Sequence, residues 1–271
     1  MTKRLIVTAD DAGLHRGMTE GAIRAHKEGI VTACSVVANG AAFEHAVERL
    51  HDVPSLAVGI HLTLVEERPV ADGIDSLIGA NELFHENYAA FVPRYLAGRI
   101  RIEEVERELR AQIEKVLQTG LKITHANGHQ HLHLLPKVFE VVQRLAEEHG
   151  VPYVRIVDER RSLSVRGAAV EILSRLGRAA RKRARVATND RTIGVTRAGH
   201  FTDAATIIAM LDHVEGTTEL VCHPGISDED LGRSYDWGYE WDAETRALCD
   251  ARLREAIAGR GIELVAPARR G

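Results

Sequence analysis

The sequence predicts an α/β fold in one domain over residues 1–271, a TIM-like (β/α) barrel with seven or eight strands. Three observations lead there. Short β-branched and aliphatic runs alternate with amphipathic helical runs along the whole chain. No long linker or low-complexity segment divides them. Residues able to carry chemistry recur at predicted C-terminal strand ends, the rim where barrels gather their functional side chains.

In order, Leu5-Ile6-Val7-Thr8 reads as a buried strand, and a helix over residues 16–28 follows, with Gly29 as its stop signal. Residues 32–37 form the second strand, 42–50 a helix and 56–63 the third strand. The stretch 65–99 is irregular apart from one short helix near 88–97, and a connection of that length reads as a functional lid. Ile102, Val105, Leu109, Ile113 and Val116 repeat at helical spacing over 102–118, with Gly120 placed as a C-cap. Residues 123–127 are a strand, and 136–149 a helix with Pro136 in its first turn. Residues 153–157 are a strand, 165–185 a long basic helix, 193–195 a short strand and 204–211 a helix. A strand at 218–222, a single helix over 243–258 and a last strand at 262–265 complete the chain.

Composition narrows the function classes. Lys plus Arg total 35 against 39 Asp plus Glu, a formal charge of −4, which speaks against a general nucleic-acid binder. No apolar run approaches the roughly 18 residues of a membrane span. The first apolar run meets Asp10-Asp11 too soon for a signal peptide. Cys34, Cys222 and Cys249 make an odd set without a C-x-x-C pair, which fits a reduced, cytoplasmic protein. The P-loop, the dinucleotide-binding glycine motif and the serine nucleophile elbow are absent.

The polar strand ends are the candidates. Asp10 and Asp11 follow the first strand. In a regular strand they would face opposite ways, so a turn at Gly13 is needed to bring both to one pocket; the plainer alternative is that one of them caps the next helix. His61 ends the third strand. His125, His129, His131 and His133 share one parity after the fourth, so an extended segment would set them on one side. His223-Pro224-Gly225 turns sharply after the strand at 218–222. Mixed imidazole and carboxylate donors suit zinc, cobalt, manganese or iron, and magnesium where water fills most positions.

Together the segments Thr8-Ala9-Asp10-Asp11-Ala12-Gly13, Gly59-Ile60-His61-Leu62, Asn127-Gly128-His129-Gln130-His131-Leu132-His133 and Cys222-His223-Pro224-Gly225 resemble the YdjC-like carbohydrate deacetylases, which include the chitooligosaccharide deacetylases. The likeness runs over nearly the whole chain, with the motifs in the same order. It implies a barrel similar to that of polysaccharide deacetylases and a metal-dependent hydrolase that removes acetyl from an N-acetylated amino sugar. By the resemblance, Asp11, His61 and His129 hold one divalent ion, Zn2+ or Mg2+. Asp10 is the general base and His223 the general acid. His131, Asn127, Arg155 and Asn39 are assigned to substrate contact or to orienting the ligands. Two departures stand out: Ala12 where the family usually has Phe, and Asn127 where it commonly has Asp.

The long basic helix and the Tyr235-Asp236-Trp237-Gly238-Tyr239 segment are similar to a hopanoid-synthesis subgroup, which implies a glucosaminyl-lipid substrate, an N-acetylglucosaminyl hopanoid. Arg175, Arg178, Arg181, Lys182, Arg183 and Arg185 border an apolar stripe of Val165, Ala169, Ile172, Leu173 and Leu176. The helix is therefore either a solvated surface helix or a peripheral membrane contact. Two other functions stay open: another barrel metallohydrolase such as a phosphoesterase, and a non-catalytic sugar- or lipid-binding protein. The sequence also leaves open whether the chain acts alone or as a homodimer.

Overall fold

The computed structural model describes residues 2–159, 165–227 and 229–268. Its first half runs β1 (Lys3–Ala12), α1 (Arg16–Lys27), β2 (Ala33–Val36), α2 (Phe43–His51), β3 (Ala57–Leu62), α3 (Tyr88–Leu96), α4 (Ile102–Leu117), β4 (Ile123–Gly128) and α5 (Pro136–Glu148). Its second half runs α6 (Val165–Arg181), β5 (Arg191–Ile193), α7 (Ala204–Met210), β6 (Thr217–Cys222), α8 (Glu229–Ser234), α9 (Trp241–Leu248), α10 (Ala251–Gly259) and β7 (Ile262–Leu264).

The strands pair in parallel in the order β4-β3-β2-β1-β6-β5, and β7 adds to the first residues of β1. Every residue of β1 from Leu5 to Ala12 is buried, as a central parallel strand covered on both faces requires. Two expected strands depart within the sheet: the one at 193–195 lies instead at Arg191–Ile193, because Gly194 turns the chain with a φ of 100°, and the one at 153–157 does not form as a strand. Only isolated bridges form there, Val154 to Ala126 and Tyr153 to Ala187. The reason is that side chains replace ladder partners. Asn189 Oδ1 accepts the Ile156 N–H at 2.8 Å, and Thr192 Oγ1 accepts the Asp158 N–H at 3.2 Å. With the Thr192 N–H donating to the Asp158 carbonyl, this irregular stretch closes the circuit between β4 and β5. The sheet is thus a parallel TIM-like barrel.

Two helices also differ from expectation. The single helix at 243–258 is broken because Asp250 caps a new start, its carboxylate accepting the Arg252 N–H at 2.9 Å. The basic helix ends at Arg181, and the Arg185 N–H is then taken by Gln143 Oε1 on α5. Among the described residues, no helix is long and apolar enough to cross a membrane.

The first part of the long connection after β3 is tied to α4. Glu104, Glu108 and Gln112 stand one turn apart on α4, all buried. Gln112 exchanges hydrogen bonds with both backbone groups of Thr63, at 2.9 and 2.8 Å. Glu108 accepts the N–H groups of Val70 and Ala71, and Glu104 that of Ser76. Leu77, Phe84 and Phe91 anchor the same stretch in the core. A loop whose backbone would otherwise lack partners is satisfied by the side chains of one helix.

Inside the barrel, Gly59 on β3 pairs with His125 on β4, and the His125 ring occupies the space beside Gly59. A Cβ at Gly59 would lie 2.4 Å from that ring. Gly59→Ala should therefore destabilise the fold by roughly 1–3 kcal/mol, measured as a lowered urea midpoint. An unchanged midpoint would show that the ring can give way.

Candidate metal centre

The two carboxylates reach one pocket because β1 carries an extra residue. Ala9 pairs with Cys34 and Ala12 with Val36, three steps on β1 against two on β2. That bulge falls on Asp10-Asp11, and Asp11 has the left-handed φ of 69°. The ordinary alternation of strand side chains is broken there, with no need for the turn at Gly13.

Asp10 is held from three sides. Its Oδ1 accepts from Ser35 Oγ at 3.0 Å, Asn127 Nδ2 at 3.0 Å and Arg155 Nη2 at 2.8 Å, and its Oδ2 accepts from Arg155 Nη1 at 2.5 Å. Burial opposes its ionised form, but the Arg155 guanidinium, together with the nearby His61 and His223, outweighs burial and holds the carboxyl well below its usual range. Arg155 is fully buried and spans from Asp10 to Glu219, whose carboxylate also accepts from Thr8 and Tyr153.

Asp11, His61 and His129 offer ligand atoms that all lie within 4.8 Å of one another. Asp11 Oδ1 is 3.1 Å from both His61 Nε2 and His129 Nδ1, and those nitrogens are 3.3 Å apart. Each imidazole has its other nitrogen engaged. Asn127 Oδ1 faces His61 Nδ1 at 2.7 Å, and Glu66 Oε2 faces His129 Nε2 at 3.1 Å. Burial opposes a charged His129, but Asp11 and Glu66 on either side push its pKa up to about 10. The pocket therefore attracts positive charge, and its one oxygen and two nitrogen donors fit a divalent ion.

Backbone strain gathers here too: Asp11, Glu66, Gln130 and His131 all have positive φ without being glycine. The turn at Gln130 and His131 defeats the parity expected of the four histidines, because the chain leaves extended geometry after Gly128. Only His129 joins the trio. His125 lies in the barrel interior, and His133 Nε2 braces the Arg155 carbonyl at 3.0 Å. Burial pushes their pKa values down to about 3 and about 4, so both are neutral. His131 lines the cavity beside the trio. Asn39 does not: its amide is used by the Arg68 carbonyl and Thr63 Oγ1 on a neighbouring groove.

His223 stands across the pocket, its Nε2 4.0 Å from Asp11 Oδ2. The turn that carries it packs on a glycine face of α1. A Cβ at Gly21 would lie 2.3 Å from Gly225 Cα, and one at Gly17 2.2 Å from the Ile226 carbonyl. From below, Glu244 Oε1 accepts the His223 N–H at 2.5 Å. Tyr239 packs on His223 and Trp237 on His129, with ring centroids 5.1 and 5.5 Å apart.

The trio opens into a cavity of about 570 Å³ whose far walls are apolar. One wall is α6, through Ala169, Ile172, Leu173 and Leu176; the other is α3, through Tyr88, Val92 and Pro93. The stripe on the basic helix thus faces this trough; the side chain of Val165 lies outside the described residues. Five of the six basic residues beside it have carboxylate partners: Arg175 with Glu171, Arg178 and Arg181 with Asp158, Arg183 with Glu140 and Arg185 with Glu147.

The profile of YdjC-like proteins matches residues 4–259. The chain belongs to the YdjC-like family. Among curated members of similar sequence, a carbohydrate deacetylase from Geobacillus stearothermophilus is 33% identical over 270 residues, covering 98% of this chain and 97% of its own. One from Brevibacillus brevis is 31% identical over 275 residues, with 97% of each chain covered. A crystal structure from Enterococcus faecalis, described as a candidate cellobiose-phosphate cleavage protein, superposes with a TM-score of 0.78 at 28% identity over 98% of both chains. The fold alone is shared with a family 4 carbohydrate esterase from Streptomyces lividans in complex with acetate, at TM-score 0.51 and 10% identity, covering 99% of this chain and 97% of that one.

Sequence reasoning missed Glu66 and the trough. Glu66 shows in the sequence only as half of a Glu-Glu pair in a long loop. Glu244 was missed as well. Burial pushes its carboxyl up to about 8, against the N–H groups of His223 and Phe201. From about pH 4.5 to 8 the folded state keeps a proton that the unfolded chain has released, so stability falls as pH rises through that window. Thermal melts of Glu244→Gln should gain on the wild type between pH 5 and 9, as the variant has no charge to bury. A constant gap across that range would refute the assignment.

Proposed function

We propose that this YdjC-like chain is, over residues 1–271, a metal-dependent carbohydrate deacetylase that hydrolyses the acetamide of an N-acetylated amino sugar. The observation that carries the reading is one pocket in which Asp11, His61 and His129 converge with Asp10 and His223 beside them. The curated relatives named carbohydrate deacetylase support it. Asp11, His61 and His129 would hold one divalent ion, Zn2+ or Mg2+. When bound, such an ion supplies the charge that polarises an amide carbonyl and acidifies water.

The remaining chemistry belongs to the chain. Asp10 keeps a lone pair on Oδ2 beyond its Arg155 contact and takes one proton from the attacking water. Arg155, Asn127 and Ser35 fix that carboxylate in place. His223 donates a proton to the departing nitrogen, without which an amine leaves poorly. A C–O bond forms, the C–N bond breaks, and the products are acetate and a free amino sugar; Asp10 then passes its proton back to His223 through solvent. Among the described residues there is one His/Cys/Asp/Glu cluster of this kind, and His131 and His133 lie outside it. That favours one ion over the two-metal sites of many phosphoesterases.

The trough favours a lipid-linked N-acetylglucosaminyl substrate, an N-acetylglucosaminyl hopanoid included, over a purely polar oligosaccharide. Sugar hydroxyls gain little from walls of Ile172, Leu173, Leu176 and Val92, whereas a hydrocarbon aglycone buries against them. Tyr88 and Ile172 are also exposed at that cavity, so contact with a lipid surface would run through them rather than through the largely paired arginines.

Acetate release from soluble and lipid-linked N-acetylglucosaminyl substrates tests the activity. Asp11→Ala, His61→Ala and His129→Ala should each lose metal and turnover together. Asp10→Asn should keep metal and lose turnover, and His223→Ala should keep metal and slow it by roughly 10²–10⁴-fold. No acetate from any metal-loaded sample would overturn the proposal. For the substrate class, Leu173→Asp should raise KM for the lipid-linked substrate while sparing the soluble sugar. Equal effects on both would remove the trough from aglycone binding.

A further inference from the structure

An imidazole can present either nitrogen to a metal, and its other nitrogen decides which. His61 and His129 are set in opposite senses. His61 turns Nε2 toward Asp11, because Asn127 Oδ1 takes its Nδ1–H. The Asn127 amide cannot reverse at no cost, since its Nδ2 donates to Asp10 and Ser35. His129 turns Nδ1 toward Asp11 and His61, and its Nε2 meets Glu66 Oε2. Carboxylates face both nitrogens of His129, Asp11 at Nδ1 and Glu66 at Nε2; once a cation takes up Asp11, only Glu66 remains to accept the proton of a neutral His129, which then belongs on Nε2 with the Nδ1 lone pair facing the trio.

Glu66 is itself fixed at several points. Its Oε1 accepts from Gln130 Nε2 at 2.8 Å, and Gln130 Oε1 accepts the Tyr88 N–H at 2.7 Å. Its own N–H donates to the His85 carbonyl at 2.9 Å, and its backbone holds a φ of 71°. The strap bound to α4 carries it. A strained, anchored carboxylate aimed at one ring nitrogen is built to hold that ring.

Building on the proposed assignment of His129 as a ligand, we propose that Glu66 is a positioning residue, which fixes the His129 tautomer and raises its basicity toward a divalent ion. His61 has a neutral amide partner and His129 an anionic one, so the two ligands differ in donor strength. Glu66 strengthens the weaker-placed ligand, the one on a turn rather than at a strand end.

Calorimetric titration of the metal-free chain with Zn2+ separates the possibilities. Glu66→Ala should weaken binding by roughly 10–100-fold. Glu66→Gln, which keeps an acceptor but no charge, should fall between Glu66→Ala and the wild type. Imidazole nitrogen NMR of the Zn2+-loaded wild type should find His129 protonated at Nε2 and bound through Nδ1. Wild-type affinity in both Glu66 variants, or binding through Nε2, would overturn the role of Glu66. If His129→Ala retains wild-type affinity, the ligand assignment beneath it has failed instead. If Glu66→Ala does not fold, Glu66→Gln with the NMR measurement decides alone.

Discussion

A guanidinium sealed inside the barrel sets the terms for the rest of the site. Arg155 has no exposed surface, and it ties Asp10 on β1 to Glu219 on β6. A buried arginine is tolerable only when its donors are met by charge at short range. The two carboxylates meet that need, and the arginine in turn makes burying them tolerable. Because the ties cross from the irregular 153–158 stretch to the central strands, they also hold the segment that closes the barrel. The same contact that completes the fold thus aligns Asp10 beside Asp11.

From that fixed carboxylate the arrangement spreads outward through hydrogen bonds. Asp10 engages Ser35 and Asn127, Asn127 orients His61, and His61 meets Asp11 and His129. Four strands and one loop supply these groups, so no short segment could form the pocket alone. Asn127 suits this chain of contacts. Its amide donates to Asp10 while its oxygen accepts from His61, and a second carboxylate there could not do both.

Much of this was legible in the sequence, for identifiable reasons. Aliphatic strand cores and amphipathic helices impose periods that survive in any context, so β1, α4 and β6 stand close to where the pattern puts them. Asp10, Asp11, His61, His129 and His223 were legible as candidates because each abuts such a strand, and the resemblance to the family singled out Asp11, His61 and His129 among them. What periodicity cannot reveal is a side chain standing in for backbone. The strand at 153–157 dissolves because Asn189 and Thr192 supply its partners, and the start of the long connection is tied down because Glu104, Glu108 and Gln112 supply partners for residues 63–76. The four-histidine parity failed for a local reason, two left-handed residues in succession. Glu66 was hidden because a loop has no period, and its importance arises only from where the strap delivers it.

That strap bears on timing as well as on placement. Many hydrolases close a loop over the substrate and wait for it to reopen before product can leave. Here the first part of the stretch between β3 and α4, from Thr63 to Ser76, is tied to one helix, while its later part, α3, forms a wall of the trough. Under the proposed lipid-linked substrate, exclusion of water from the chemistry would fall to the ligand's own bulk: an apolar tail between α3 and α6 would be at once the handle by which the molecule is held and the stopper that dries the site around it.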